Sequence, residues 1–325
     1  MARYLLTGAA GFIGARVAQE LLAEGHTVVG LDNLNDAYDR RLKDWRLTRL
    51  QDRQGFTFHR VDIADRPALG GAWGKEPYDA VLNLAARAGV RQSVADPWAY
   101  VDTNLTGALN LLDLCREHQV HKFILASTSS VYGANAPLPT PETAESDHPI
   151  QPYAATKKAA ETLAHSYHYL YGIDVTVVRY FTVYGPAGRP DMSMFRFCQW
   201  ISEGRPVRVN GDGEQSRGYT YVDDIARGTI LALRPLGYEV INLGGHETIK
   251  INDLIRMMAA RIGREAQVEY GPLHPADMLA NWASVEKAGK LLGWEPRVSL
   301  EEGVPRLVDW YVSEREWARQ VDTSD

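Results

Sequence analysis

Short apolar stretches alternate with amphipathic stretches through the first half of the chain. An apolar stretch at residues 4–7 leads into a glycine-rich turn and then into a helical pattern. Further apolar stretches are predicted as strands at residues 27–31, 56–61, 80–84, 123–126 and 175–178. Helical patterns lie between them, including residues 100–118 and 152–171. Strands that are apolar on both faces and alternate with helices predict a doubly wound α/β fold with a parallel sheet.

The regular alternation ends near residue 181. Prolines and a glycine-rich stretch at residues 211–218 then separate shorter elements. A length of 325 residues favours about two domains. We therefore predict a first domain at residues 1–180 and a smaller mixed α/β region at residues 181–325 that is partly interleaved with it.

Composition and charge argue against several classes of protein. The chain is 45% hydrophobic and 23% charged, and its net charge of -6 argues against binding to nucleic acid or to an anionic membrane. No uninterrupted apolar run approaches the ~18 residues that span a bilayer. The two cysteines, Cys115 and Cys198, lie far apart, and the histidines show no metal-ligand spacing, so we expect neither a disulfide scaffold nor a metal site. Free thiols fit a reducing cytosol, and we predict a cytoplasmic protein.

The glycine-rich turn indicates a dinucleotide site. Gly8, Gly11 and Gly14 follow a strand and open a helix, where glycine lets a pyrophosphate approach the backbone and the helix N-terminus. Asp32 ends the second strand, 18 residues after Gly14, where a carboxylate can accept hydrogen bonds from the adenosine ribose. The next residue is Asn33 rather than an arginine that could hold a 2′-phosphate, which favours NAD over NADP. The residues predicted to contact the cofactor here are Gly8, Gly11, Phe12, Ile13, Gly14, Asp32, Asn33, Asp62 and Ile63.

A tyrosine and a lysine form a second motif. Tyr153 and Lys157 are four residues apart near the start of a predicted helix, so both side chains share one face. A tyrosine can act as a base only if its pKa falls well below about 10, and a neighbouring ammonium and a cationic nicotinamide ring favour that change. Hydroxyl side chains at residues 127–130 follow a predicted strand and reach the sheet edge where ligands bind. The pattern predicts removal of a proton from a hydroxyl group beside NAD.

These motifs resemble the extended short-chain dehydrogenase/reductase family at residues 7–14, 127–133 and 153–157. The resemblance covers nearly the whole chain and extends to residues 179–186, Arg217 and residues 223–224. It implies a Rossmann-type fold in which residues 1–180 bind NAD and residues 181–325 bind a UDP-sugar. It also implies a homodimer that is formed through the helices at residues 100–118 and 152–171. The resemblance assigns catalysis to Thr128, Tyr153 and Lys157, and further cofactor contacts to Ala85, Ala86, Ser127, Tyr153 and Lys157.

Within that family, the sequence resembles the UDP-glucuronate 4-epimerase branch at residues 33–38, 86–91 and 185–192. Thr128 is followed by Ser129 and Ser130, whereas dehydratases and decarboxylases of the family place an acidic residue there. The resemblance implies reversible conversion of UDP-glucuronate to UDP-galacturonate through a 4-keto intermediate, with transient reduction of bound NAD. Hydroxyl groups would bind the carboxylate, and two arginines would supply positive potential. The residues expected to contact substrate are Arg91, Ser129, Ser130, Thr182, Arg189, Arg217 and Asp277.

Three other functions remain open from the sequence. A 4-epimerase of UDP-glucose and UDP-galactose would share every catalytic motif, although neutral-sugar enzymes commonly have asparagine at the position of Thr182. A dehydratase or decarboxylase is disfavoured by Ser129 and Ser130. A redox-sensing NAD-binding protein could lose the catalytic pair, but this chain keeps Tyr153 and Lys157.

Overall fold

A computed structural model describes residues 1–245, 247–272 and 280–323. The strands are β1 (Arg3–Thr7), β2 (Thr27–Asp32), β3 (Phe56–Arg60), β4 (Ala80–Asn83), β5 (Lys122–Thr128), β6 (Asp174–Tyr180), β7 (Thr182–Tyr184), β8 (Val207–Asn210), β9 (Ser216–Tyr221), β10 (Tyr238–Leu243), β11 (Thr248–Lys250), β12 (Val268–Gly271) and β13 (Ala280–Asn281).

The α-helices are distributed over both halves of the chain. They are α1 (Phe12–Ala23), α2 (Arg40–Gln51), α3 (Arg66–Trp73), α4 (Val90–Ala95), α5 (Pro97–Tyr100), α6 (Gly107–Glu117), α7 (Pro152–Tyr171), α8 (Ser193–Glu203), α9 (Val222–Leu231), α10 (Ile251–Ile262), α11 (Glu286–Leu292), α12 (Leu300–Ser313) and α13 (Arg315–Ala318). A π-helical turn, Val101–Thr106, joins α5 to α6, so the helix predicted at residues 100–118 consists of several segments. No described helix is long and apolar enough to cross a bilayer.

A seven-stranded parallel sheet forms the centre of the molecule, in the order β10-β6-β5-β4-β1-β2-β3. Each strand predicted in the first half belongs to it, and the prediction of a Rossmann-type α/β fold is confirmed. The chain reverses its winding between β1 and β4, and ligands of such sheets bind outside the strand ends at that point. The seventh strand, β10, comes from the second half of the chain and pairs with β6.

Successive residues of the strands face opposite layers of helices. Leu5 and Phe123 pack in the layer that contains α6 and α7, whereas Leu6 and Ile124 pack in the layer of α1 and α9. All four side chains are fully buried. Burying a side chain of this size stabilises the fold by roughly 1.5–3 kcal/mol. Burial on both faces therefore explains why the strands are almost continuously apolar.

The second half of the chain builds a smaller layer above the carboxyl ends of these strands. Strand β9 pairs with β7, β11 and β13, and β8 pairs with β12. Helices α8, α10 and α12 cover this layer with a separate apolar core. Buried Arg46 on α2 connects the two halves, because its guanidinium donates to the carbonyl oxygens of Ala10 (3.1 Å) and Ala187 (2.6 Å).

Asp224, at the start of α9, is buried and holds a loop of the second half. Its carboxylate accepts hydrogen bonds from the backbone N–H groups of Arg297 and Val298, both at 2.9 Å. It also pairs with Arg227 at 2.9 Å. The adjacent Asp223 instead forms a half-buried ion pair, 2.7 Å from Arg16. Of these two neighbouring carboxylates, Asp224 is the buried one, and it binds the backbone of a distant loop.

We expect Asp224→Ala to lower the free energy of unfolding by about 2–4 kcal/mol, because it leaves two backbone N–H groups and the guanidinium of Arg227 without their buried acceptor. The matched variant Asp223→Ala removes an ion pair whose side chains are about one-third exposed, and it should change the same quantity by less than about 1 kcal/mol. Urea denaturation followed by circular dichroism measures both. Equal losses in the two variants would contradict this role for Asp224.

Candidate active site

A cavity of about 810 Å³ lies between the carboxyl ends of the central strands and the smaller layer. The structure brings together every described residue that the sequence assigned to a site; Asp277 lies outside the described residues. The predicted residues that line the cavity are Gly8, Gly11, Phe12, Ile13, Gly14, Asp32, Asn33, Asp62, Ile63, Ala85, Ala86, Arg91, Ser127, Thr128, Ser129, Ser130, Tyr153, Lys157, Thr182, Arg189 and Arg217.

The glycine turn forms one wall of this cavity. Its backbone is packed too closely for a side chain at Gly8 or Gly14. Gly8 has a φ of 71°, and a Cβ atom at this position would lie 2.8 Å from the backbone nitrogen of Ala85. A Cβ atom at Gly14 would lie 2.1 Å from the carbonyl oxygen of Gly8. The first residues of α1 line the cavity beside this turn. This cradle fits a pyrophosphate that binds backbone N–H groups at a helix N-terminus.

Asp32 ends β2 and is fixed by the backbone around it. Its carboxylate accepts hydrogen bonds from the N–H groups of Ala10 (3.2 Å) and Leu34 (2.8 Å). Lys43, which the sequence did not single out, places its ammonium 3.8 Å from the same carboxylate. Burial lowers the pKa of Lys43, and the charge of Asp32 opposes that shift. The pair provides an acceptor and a donor at the end of the cavity where the adenosine ribose was expected.

The hydroxyl of Thr128 and the side chains of Tyr153 and Lys157 meet where β5 ends and α7 begins. Burial raises the pKa of Tyr153, while a hydrogen bond with Thr128 and the charge of Arg189 oppose the increase. Burial lowers the pKa of Lys157 to about 8. Within the protein, burial therefore leaves the pKa of Tyr153 above its usual range, and its lowering by Lys157 stays a prediction. The positive charge of an oxidised nicotinamide would add to the stabilisation of a phenolate.

A buried ion pair lies directly behind Lys157. Glu161 is one helical turn further along α7, and its carboxylate lies 2.6 Å from Arg179 on β6. The same carboxylate accepts a hydrogen bond from Ser127 at 2.5 Å. Its negative charge acts against the effect of burial on the pKa of Lys157. No local pattern in the chain indicates this pairing, because Glu161 and Arg179 belong to different elements.

Arg189 reaches the cavity as one half of an ion pair. Its guanidinium lies 2.5 Å from the carboxylate of Asp191 and donates to the carbonyl oxygen of Ala88 at 3.2 Å. Burial alone would raise the pKa of Asp191, but the guanidinium holds it below its usual range. The predicted excess of positive potential from Arg189 is therefore largely cancelled by Asp191.

Hydroxyl groups surround the position where a sugar would meet Thr128. The side chain of Thr128 donates to Ser130 at 3.2 Å, and Thr182 lines the cavity from β7. Asn281, on the short strand β13, donates to the hydroxyl of Ser129 at 3.3 Å. A strand of two residues has no periodic pattern, so Asn281 could not be found from the sequence.

The model of the NAD dependent epimerase/dehydratase family matches residues 4–244. The chain belongs to this family. Its cofactor is NAD, as predicted, and the glycine cradle and Asp32 fit that dinucleotide. The predicted relation to extended short-chain dehydrogenases is confirmed.

Relatives within the family include enzymes that act on charged and on neutral sugars. The UDP-glucuronate 4-epimerase of Thermodesulfobacterium geofontis is 55% identical over 311 residues, which cover 95% of this chain and 96% of that protein. UDP-glucuronic acid 4-epimerase from Bacillus cereus, solved with UDP-glucuronic acid and NAD, is 37% identical. Its TM-score is 0.88, and the match covers 96% of this chain and 99% of that one.

UDP-glucose 4-epimerase from Thermotoga maritima, solved with UDP-glucose, is 34% identical and has a TM-score of 0.89, with 96% of this chain and 99% of that chain covered. Because the two TM-scores are nearly equal, the fold does not distinguish a uronate from a neutral sugar. The side chains of the cavity must make that distinction.

We expect Glu161→Gln to lower the pKa of Lys157 below its value of about 8, because the negative charge that favours the ammonium is removed. Lys157 should then lose its proton at a lower pH than in the parent protein. Titration of the lysine ¹³Cε NMR signals measures this change, with Lys157→Met used to assign the signal. Buried Lys122, which pairs with Asp174 at another place, serves as an internal reference that should not move. An unchanged or higher pKa of Lys157 would show that Glu161 does not act on it electrostatically.

Proposed function

We propose that the protein epimerises UDP-glucuronate and UDP-galacturonate at carbon 4, using NAD that stays bound through the reaction. The observation that carries this proposal is the group of hydroxyls, Ser129, Ser130 and Thr182, beside Thr128 and Tyr153 in one cavity. The high identity to a UDP-glucuronate 4-epimerase supports the same substrate.

The catalytic side chains act on the 4-hydroxyl of the sugar. Tyr153, as a phenolate, removes the hydroxyl proton, and Thr128 hydrogen-bonds the oxygen that becomes a carbonyl. The ammonium of Lys157 favours the phenolate form of Tyr153. NAD held by the glycine cradle and Asp32 would supply reversible hydride chemistry at carbon 4. The keto sugar turns between these steps, while Arg217 and the surrounding second half hold the UDP group, so either face of carbon 4 can be reduced.

The hydroxyl groups also protect the intermediate. A 4-keto hexuronate is a β-keto acid and loses carbon dioxide fastest when its carboxylate stands perpendicular to the carbonyl plane. Hydrogen bonds from Ser129, Ser130 and Thr182 hold the carboxylate in one orientation and recognise its charge. Because residues 129 and 130 are serines, an extra acid or base for water elimination or decarboxylation is missing from the position where related enzymes place one.

The direct test is to incubate the purified protein with UDP-glucuronate, without added cofactor, and to follow the products by proton NMR. We expect UDP-galacturonate to appear without carbon dioxide or free NADH. A Tyr153→Phe variant serves as the control and should lose at least about 100-fold in rate, since the proton acceptor is removed. If only UDP-glucose is converted, to UDP-galactose, the enzyme acts on neutral sugars and the proposed uronate contacts are wrong.

We also propose that the protein is a cytoplasmic homodimer. Both cysteines are buried free thiols, which fits a reducing compartment. The first helix predicted to form the dimer carries the exposed apolar side chain of Leu109 on α6, and Trp98 is exposed just before that helix, on α5. Tyr169 and Leu170 are exposed near the end of α7. Exposed apolar groups on adjacent helices favour burial against a second copy.

We expect Leu109→Arg to shift the protein from dimer to monomer, because a charge would be buried at the centre of the proposed interface. Val312→Arg changes another exposed apolar position, on α12 and away from these helices, and should leave the dimer intact. Light scattering coupled to size-exclusion chromatography gives the mass of each variant. A monomeric parent protein, or a dimer that survives Leu109→Arg, would rule out this interface.

A further inference from the structure

Asn281 is held in a fixed position at the edge of the cavity. Strand β13 pairs with β9 so that Asn281 lies opposite Arg217. The residues that follow are fixed from the other side, because Thr140 hydrogen-bonds the carbonyl oxygen of Trp282 (3.0 Å) and the N–H of Ser284 (2.9 Å). A Cβ atom at Gly218 would lie 2.7 Å from the side chain of Trp282, so β9 and this segment are in close contact. The side-chain amide therefore has little freedom to move away from the cavity.

The hydrogen bond from Asn281 to Ser129 has a consequence for the direction of the serine proton. The amide nitrogen of Asn281 donates to the Ser129 oxygen at 3.3 Å. A hydroxyl group has one hydrogen and two acceptor positions, and its hydrogen cannot point toward an N–H donor. Within the described residues, Ser129 Oγ has no other side-chain hydrogen bond. Its hydrogen is therefore available to an acceptor in the cavity.

We propose that Asn281 is a positioning residue that determines substrate specificity, by keeping the hydroxyl of Ser129 oriented as a donor toward the carboxylate of the sugar. This inference rests on the proposed function. It adds a residue that does not itself need to touch the substrate.

The hydroxyl hydrogen of Ser130 is also left available, but through a different hydrogen bond. In this structure the Ser130 oxygen accepts the one hydroxyl hydrogen of Thr128, which leaves the hydrogen of Ser130 available until Thr128 turns its own hydrogen to the sugar oxygen. Thr128, however, contacts Tyr153 and takes part in the reaction. Asn281 is separate from that catalytic group, so a change at Asn281 should alter recognition of the carboxylate without altering chemistry at carbon 4.

The test compares affinities for UDP-glucuronate and UDP-glucose by isothermal titration calorimetry. All variants carry Tyr153→Phe, which prevents turnover during the titration, and the holoprotein with its NAD is used. The side chain introduced by Asn281→Asp has nearly the same shape as asparagine. Its carboxylate, however, accepts a hydrogen bond from Ser129 and repels a uronate. We expect the Kd for UDP-glucuronate to rise about 10- to 100-fold, as is typical when a hydrogen bond to a charged group is lost. The Kd for UDP-glucose should change less than about threefold.

Asn210→Asp is the matched control, because Asn210 also lines the cavity, on β8. It adds the same negative charge elsewhere and should weaken both ligands by similar factors. If Asn210→Asp discriminates between the ligands as strongly as Asn281→Asp, the effect is one of general charge and the inference is wrong. The inference also fails if Asn281→Asp weakens both ligands equally.

A double-mutant cycle tests whether Asn281 acts through Ser129. Asn281→Ala and Ser129→Ala should each weaken UDP-glucuronate binding, and the combined variant should lose no more than Ser129→Ala alone. Additive losses would overturn the proposed route. If the Tyr153→Phe parent itself binds UDP-glucuronate no better than UDP-glucose, the proposed function fails. If the parent prefers UDP-glucuronate and Asn281→Asp leaves that preference unchanged, only the proposed role of Asn281 is refuted.

Discussion

The burial of Tyr153 and Lys157 away from water is the constraint on which the rest of the site depends. Removing Tyr153 and Lys157 from water disfavours the charged form of each, as the directions of their pKa shifts show. The reaction nevertheless needs a phenolate beside an ammonium. The charge of Glu161 offsets part of this penalty for Lys157, and a hydrogen bond with Thr128 offsets part of it for Tyr153. NAD held in the glycine cradle would supply the remainder through the positive charge of its oxidised nicotinamide.

A second compensated charge lies in the same cavity. Arg189 is compensated by Asp191, so the pair contributes orientation more than net potential. In the proposed function, the neutral hydroxyls of Ser129, Ser130 and Thr182 provide directional donors for the sugar carboxylate. Such hydrogen bonds would be exchanged as the sugar changes face within the cavity.

The two halves of the chain are joined through buried polar contacts at the cavity walls. Arg46 binds carbonyl oxygens from the glycine turn and from the segment that precedes Arg189. Asp224 binds backbone N–H groups near residue 297. Buried groups of this kind stabilise one arrangement, since any displacement leaves a charge without a partner. The position of the second half over the cofactor cradle is therefore fixed by specific bonds as well as by apolar packing.

The sequence by itself determined the features that depend on near neighbours along the chain. Apolar runs identified the parallel strands because both faces of those strands are buried, and the spacing of Gly8 and Gly14 identified the cradle. Tyr153 and Lys157 could be paired because one helical turn separates them. Tertiary structure decided the partners that come from distant segments: Arg179 for Glu161, Lys43 for Asp32, and Asn281 for Ser129. No local pattern encodes such contacts, because they exist only after the sheet has brought separate strand and helix ends together at one edge.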